Sequence, residues 1–370
     1  MKKIVLSLLV LLCTFVLFVG CSKKEENKTV ELAVVTDVGQ LMDGGFNQGT
    51  YEGVKQYAEK NNKTYAYYQP ENGADATDND RIAAMELAIE KGAKVIVAPG
   101  FLQSTAMETV AKAHTDVKFV FVDGWNLGLS NVTAISYKEQ ESGFLAGYAA
   151  VMDGYTKLGG VFGGGGSNPA CNRFCWGYMQ GANAAAKEKG ITVEMKISFR
   201  HGSSFSASNE LQSQVSLWYS AGTEVVFSCG GSMVNSVIAA ANETANGKVI
   251  GVDTDQAGLS DRVITSAVKG LTSSVMLVLE KYYAGKWDAE LADKTSNLGA
   301  AEDSTGLPTA DGSWRFTTFT KDQYNTVFNA IKNGTITISD TTPADCSEDG
   351  AWTLQAVALL NVTVLHESGK

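Results

Sequence analysis

The chain has 370 residues, 44% of them apolar, and a formal net charge of -10. A field of that sign repels phosphate backbones and anionic lipid headgroups, which excludes nucleic acid as a main partner and favours a small neutral or weakly charged ligand. The length exceeds one ordinary core and suits two lobes of typical domain size.

Lys2 and Lys3 precede an apolar run, Ile4 to Gly20, that ends at Cys21. A basic start and an apolar middle read as an export signal, to be left out of the folded body. The run falls short of the about 20 apolar residues that a transmembrane helix needs. Its end, Phe18-Val19-Gly20-Cys21, resembles a bacterial lipobox, which implies removal of residues 1–20 and lipidation of Cys21. Phe18 stands where Leu is usual, so an uncleaved anchor is the alternative. Either version places the chain at the extracytoplasmic face of a bacterial cell membrane. Residues 21–29 are polar, with almost nothing to bury, and read as a flexible tether.

From Val30 onward, short β-branched runs alternate with amphipathic segments, the pattern of βαβ units building parallel sheets. The expected strands are Glu31 to Val35, Thr64 to Tyr68, Val95 to Ala98, Lys118 to Val122, Leu158 to Phe162, Thr192 to Ile197, Val225 to Ser228, Val249 to Val252 and Val263 to Ser266. Between them, Asn47 to Lys60 carries Tyr51, Val54 and Tyr57 or Ala58 on one stripe, and Asn79 to Lys91 carries Ile82, Met85 and Ile89. A Gly- and Ala-rich helical stretch, Tyr137 to Met152, separates the strands into two groups. The fold class is therefore α/β, with two similar halves built on parallel sheets.

Ligands of open parallel sheets bind beyond the carboxyl ends of the strands, so those ends are where a site is sought. The first strand runs into Thr36-Asp37-Val38-Gly39 and then Asp43-Gly44-Gly45-Phe46-Asn47. Phe46 in a polar glycine loop offers a stacking surface or, equally, a loop anchor, and Asn47 suits a helix N-cap. The fourth strand ends at Asp123 and the eighth at Asp253, matching carboxylates that accept hydrogen bonds from hydroxyls or amines, or else form turns. The seventh ends Ser228-Cys229-Gly230-Gly231, where a ligand can approach backbone N–H groups.

Of six cysteines, Cys171, Cys175, Cys229 and Cys346 lie beyond the leader and the lipidation candidate. Buried thiols or one disulfide are the plainer reading and a structural zinc the sharper one; Cys171 and Cys175 are spaced for a helix face, and no CxxC accompanies them. The three histidines, His114, His201 and His366, share no motif, and HExxH, GxSxG and GxxxxGK[ST] do not occur. An enzyme is not expected, nor a cofactor or metal.

The ordered segments TDVGQLMDGGFNQGTYEGVKQYAEK, FVDGW, GTEVVFSCGGS, VIGVDTDQ and ITSAVK resemble the basic membrane protein family of ABC transporter substrate-binding lipoproteins, which includes purine nucleoside receptors. The resemblance implies a type I periplasmic-binding-protein fold, two lobes joined by three crossovers around a central cleft. It implies an N-terminal lobe of residues 30–136 with about 262–292, and a C-terminal lobe of 137–261 with about 293–370, the chain crossing back near Val263. It also implies the site. Asp37 would contact a base, Phe46 and Phe205 would sandwich it, and Asn47 and Asp123 would add polar contacts. Asp253 and Lys269 would hold ribose hydroxyls, and Gly230 lies in the loop that approaches the ligand. The expected partners are a nucleoside, a permease and the membrane through its lipid, with the protein a monomer. The segment 169–176 keeps a helix start that faces the cleft in the family but carries two cysteines and a tryptophan of its own, and the Gly163 to Gly166 run before it reads as a lengthened flexible loop. Other planar ligands and an adhesin or sensory role are the alternatives.

Overall fold

A computed structural model describes residues 29–342, apart from 39 and 203, and residues 361–366. The leader, most of the tether, Cys21 and Cys346 lie outside the described residues. Among those described, no helix is long and apolar enough to cross a membrane.

The first lobe is laid down as β1 (Leu32–Val35), α1 (Phe46–Lys60), β2 (Tyr65–Tyr68), α2 (Asp78–Glu90), β3 (Val95–Pro99), α3 (Ser104–Ala113), β4 (Lys118–Val122) and β5 (Val132–Tyr137). The second follows as α4 (Glu139–Met152), β6 (Lys157–Phe162), α5 (Pro169–Lys189), β7 (Val193–Ser198), α6 (Asn209–Ser220), β8 (Val225–Cys229), α7 (Met233–Asn242), β9 (Lys248–Asp253) and β10 (Val263–Lys269). The chain then returns for α8 (Leu271–Tyr283) and β11 (Lys294–Leu298) before finishing as β12 (Thr305–Gly306), α9 (Lys321–Lys332) and β13 (Val362–His366). One sheet has the order β11-β5-β4-β3-β1-β2 and the other β12-β10-β9-β8-β6-β7-β13. All pairings are parallel except β12 on β10.

Both faces of the first sheet are covered, which is why its central strands are continuous apolar runs rather than alternating ones. Leu32 and Val34 of β1 enter the core shared with α1 and α8, while Ala33 and Val35 enter the core shared with α2 and α3. Successive side chains of a strand point to opposite faces, so one apolar tetrapeptide serves two cores.

The lobe boundaries differ from those expected. β10, placed near the start of a return to the first lobe, instead pairs with β9 in the second sheet. The return begins after Lys269, with α8 packing on α1, and includes β11, which pairs with β5. The physical reason is that an apolar strand reads the same in either sheet; only its hydrogen-bonded neighbour assigns it. The crossings therefore fall at Lys138, Gly270 and Gly299. They are laced together where Lys138 N–H donates to the Leu298 carbonyl at 2.8 Å and Gly270 N–H to the Ser304 carbonyl at 2.8 Å.

The Gly- and Ala-rich stretch is a close helix–helix contact. A methyl group on Gly147 of α4 would lie 2.1 Å from the Tyr178 carbonyl oxygen of α5, and one on Gly181 of α5 would lie 1.9 Å from the Phe144 carbonyl oxygen of α4. Glycines at i and i+4 on both helices let the backbones touch, which brings the starts of α4 and α5 together. Gly181→Ala is expected to force the pair apart and destabilise the fold by about 1–3 kcal/mol. A thermal melt checks this; an unchanged midpoint would show that the contact has slack.

Candidate functional site

In an open parallel sheet the crevice opens where neighbouring strands depart in opposite directions. In the first sheet that point lies between β1 and β3, and in the second between β6 and β8. A cleft of 430 Å³ opens there, within the range of about 300 to 1,000 Å³ usual for small-molecule sites. Asp37, Phe46, Asn47, Asp123, Phe205, Gly230, Asp253 and Lys269 all line it.

Its centre is Lys269, the last residue of β10, with a side chain only 2% exposed. The ammonium meets Asp123 Oδ2 at 2.7 Å, Asp253 Oδ1 at 3.3 Å and Glu139 Oε1 at 3.8 Å. It also faces the rings of Phe46 at 4.7 Å, Tyr137 at 5.4 Å and Phe174 at 5.6 Å. Burial pulls the ammonium down, yet Asp123, Asp253 and Glu139 outweigh it and hold Lys269 well above the ordinary lysine value. Burial pushes the Asp253 carboxyl up to about 6, against the pull of Lys269. Burial likewise raises fully buried Glu139, although Arg173 donates to its Oε2 at 2.6 Å.

Asp123 follows β4 and Asp253 ends β9, so the Asp123–Lys269 bond joins the two lobes. Both aspartates adopt left-handed backbone, φ 56° and 66°, which aims their carboxylates back over the strand ends. Asp tolerates this conformation better than most residues; Phe205, at φ 56°, does not, and such strain clusters at ligand clamps. Oδ1 of Asp123 and Oδ1 of Asn47 are buried and accept no hydrogen bond from any described residue.

Two expectations are corrected here. Asn47 is not the cap of α1 but lies within it; Asp43 does the capping, its Oδ1 accepting from Gly45 N–H at 2.8 Å and its Oδ2 from Asn47 N–H at 3.0 Å. A carboxylate four residues upstream takes the Asn47 and Gln48 N–H groups, so the helix starts before Asn47. The Gly163 to Gly166 run is not a loose loop either: Gly164, Gly165 and Gly166 are buried. A methyl group on Gly163 would come 2.4 Å from the Phe205 ring, so the run is the seat of that ring.

The sequence reading missed Glu139 and Arg173. Asn168 caps α5 by accepting from Cys171 N–H at 2.9 Å, and Asn168, Ala170, Cys171 and Phe174 join the cleft wall. The helix start that the family pattern implied therefore lies at Pro169, a residue suited to the first turn. At the mouth, the Gly44 carbonyl of the first lobe accepts from Thr254 Oγ1 at 2.9 Å and from Gln256 Nε2 at 3.0 Å, both of the second. Among the described residues no group of His, Cys, Asp and Glu is arranged to hold a metal ion, and Cys171 and Cys229 carry free thiols.

Two sheets of this order, crossed three times and facing each other over a polar cleft with aromatic walls, define a type I periplasmic-binding-protein fold. A solute-binding protein of an ABC transporter system from Aeropyrum pernix K1 shares it, with a TM-score of 0.71 at 21% identity over 85% of this chain and 94% of that one. The chain belongs to the Bmp family, described as ABC transporter substrate-binding protein PnrA-like, whose pattern it matches over residues 30–342. It is an ABC transporter substrate-binding protein. It is 28% identical over 314 residues to the ABC transporter nucleoside-binding protein BmpA of Lactococcus lactis subsp. cremoris (strain MG1363), covering 80% of this chain and 85% of that one. It is also 27% identical to Basic membrane protein A1 of Borrelia garinii subsp. bavariensis (strain ATCC BAA-2496 / DSM 23469 / PBi), over 74% of this chain and 80% of that one.

Proposed function

We propose that this chain captures a nucleoside, a purine nucleoside in the first instance, and delivers it to the permease of an ABC importer without chemical change. The observation that carries the reading is one cleft holding an aromatic ring from each lobe, Phe46 and Phe205, beside the Asp123–Lys269–Asp253 cluster. Lys269 stands 4.7 Å from the Phe46 ring, so a base that stacks on Phe46 lies beside the ammonium. The carboxylates and Asn47 accept from hydroxyls and amines. The three crossings act as hinges, and the Gly44 contacts to Thr254 and Gln256 hold the lobes shut over the ligand. The protein works as a monomer on the extracytoplasmic face, tethered through acylated Cys21; partition into detergent that is lost in Cys21→Ser tests the tether.

Calorimetric titration of the purified protein with guanosine, inosine, cytidine and free ribose tests the ligand. Stoichiometric binding of a purine nucleoside supports the reading, whereas release of a different planar compound on denaturation would replace the nucleoside and keep the transport role. Nucleoside binding should also depend on pH with a definite sign. Below about 6 the Asp253 carboxyl of the free protein is protonated, and a site that needs the carboxylate must expel that proton. The Kd is therefore expected to rise by up to about tenfold per unit as pH falls below 6, and to be flat above it. Asp253→Asn should abolish the slope; a slope that survives would assign it to another group.

A further inference from the structure

Outside the ion cluster, the cleft wall contains a second pair of reactive groups. Cys171 is the third residue of α5 and Cys229 the last of β8, 58 residues apart, and both line the cleft. The Cys171 thiol points at the Cys229 carbonyl, with its sulfur 3.8 Å from that oxygen. Burial, reinforced by the neighbouring Cys171 side chain, holds the Cys229 thiol well above the usual range. Cys175, one turn further along α5, is buried in the core behind them and does not reach the cleft.

The backbone around Cys229 is the seat of Phe205. The Cys229 carbonyl accepts from Gly163 N–H at 2.8 Å, and a methyl group on Gly230 would lie 3.1 Å from the Phe205 ring. A covalent bond that draws Cys229 toward α5 therefore acts on the strained residue that walls the ligand space.

We propose that Cys171 and Cys229 form a reversible dithiol–disulfide pair in the cleft wall, closed by low-molecular-weight disulfides that enter through the open cleft. Cys171, 6% exposed against 1% for Cys229, attacks one sulfur of the small disulfide as a thiolate and expels one thiolate, leaving a mixed disulfide. Cys229 then loses its proton to solvent and attacks the Cys171 sulfur, and the second small thiolate leaves. Two protein thiols are oxidised, one small disulfide is reduced to two thiols, and the exchange runs backward in excess thiol. The bridged form binds ligand more weakly because the seat of Phe205 has moved; this consequence rests on the nucleoside reading, while the bridge itself does not.

The test exposes the full chain in detergent to oxidised glutathione and maps its peptides without reduction. The expected product is a peptide pair joined through Cys171 and Cys229, formed in the native protein and absent from Cys171→Ser. Glutathione left on Cys171 alone, a bridge from Cys171 to another cysteine, or no reaction at either residue while the urea-unfolded chain reacts would each overturn the pair. With guanosine as probe, bridging is expected to weaken binding by about tenfold or more, reversed by dithiothreitol, and bound guanosine to slow bridging, as reciprocity requires. If guanosine binds the reduced protein and bridging leaves its Kd unchanged, the coupling is wrong. If guanosine does not bind the reduced protein, it is the nucleoside reading that fails, and the peptide map still decides the pair.

Discussion

Lys269→Met is expected to lower the stability of the fold by about 3–5 kcal/mol, the usual result of removing one partner from a buried ionic network. Methionine keeps the aliphatic stem against Phe46, Tyr137 and Phe174, so the loss is of charge more than of packing. Asp123, Asp253 and Glu139 would then face one another with only Arg173 in contact, through Glu139. In a chain of this size the loss corresponds to a drop of about 4–7 °C in melting temperature. The sign of its pH dependence separates this cause from a packing defect. Burial already raises Asp253 and Glu139, which bind protons more tightly folded than unfolded, so the variant should regain stability as pH falls through their raised values. A packing defect would leave the deficit the same at every pH, and an unchanged melting temperature would remove Lys269 from the centre of the site. Nucleoside binding should be lost beyond detection, because the Asp123–Lys269 bond is also a bond between lobes.

Phe205→Ala and Phe46→Ala are each expected to weaken nucleoside binding by about 1–3 kcal/mol, or roughly 5- to 150-fold, the range for a base stacked on an aromatic ring. Free ribose, which has no base to stack, should lose little in either variant. The two effects should add in the double variant, since the rings come from different lobes and act on opposite faces of the ligand. Phe46→Leu serves as a control that still covers Lys269. Calorimetry of both ligands on the native protein and all four variants checks the set; equal losses for ribose and nucleoside would mean that the rings support the fold of the cleft and do not stack a base.

Much of this architecture was legible in the order of residues. Val34, Ile96, Phe121 and Phe227 sit in runs that can only be buried strands, and the positions just after such runs are where open parallel sheets hold ligands. That rule, with the family pattern, brought all the expected site residues to one cleft. Strands without an apolar signature were not legible. β11, Lys-Thr-Ser-Asn-Leu, lies at a sheet edge with its residues exposed or half-buried, and β12 is two residues long. β5 is apolar enough to be read, yet it went unread beside the helical stretch that follows it.

Other features have no local expression at all. The fate of Val263 to Lys269 depended on whether β9 or a strand of the first sheet lay beside it, which is a matter of long-range pairing. The meeting of Glu139 with Arg173 depends on glycine faces that let α4 and α5 touch, and that of Cys171 with Cys229 on the return of β8 beside β6. Periodicity, charge and strand ends are written along the chain, so the α/β class, the presence of two sheets and the cleft-facing loops follow from sequence alone. Which side chains face one another across those loops is decided when backbones close to contact, because a hydrogen bond or ion pair is set by distances of a few ångströms that residue spacing does not encode.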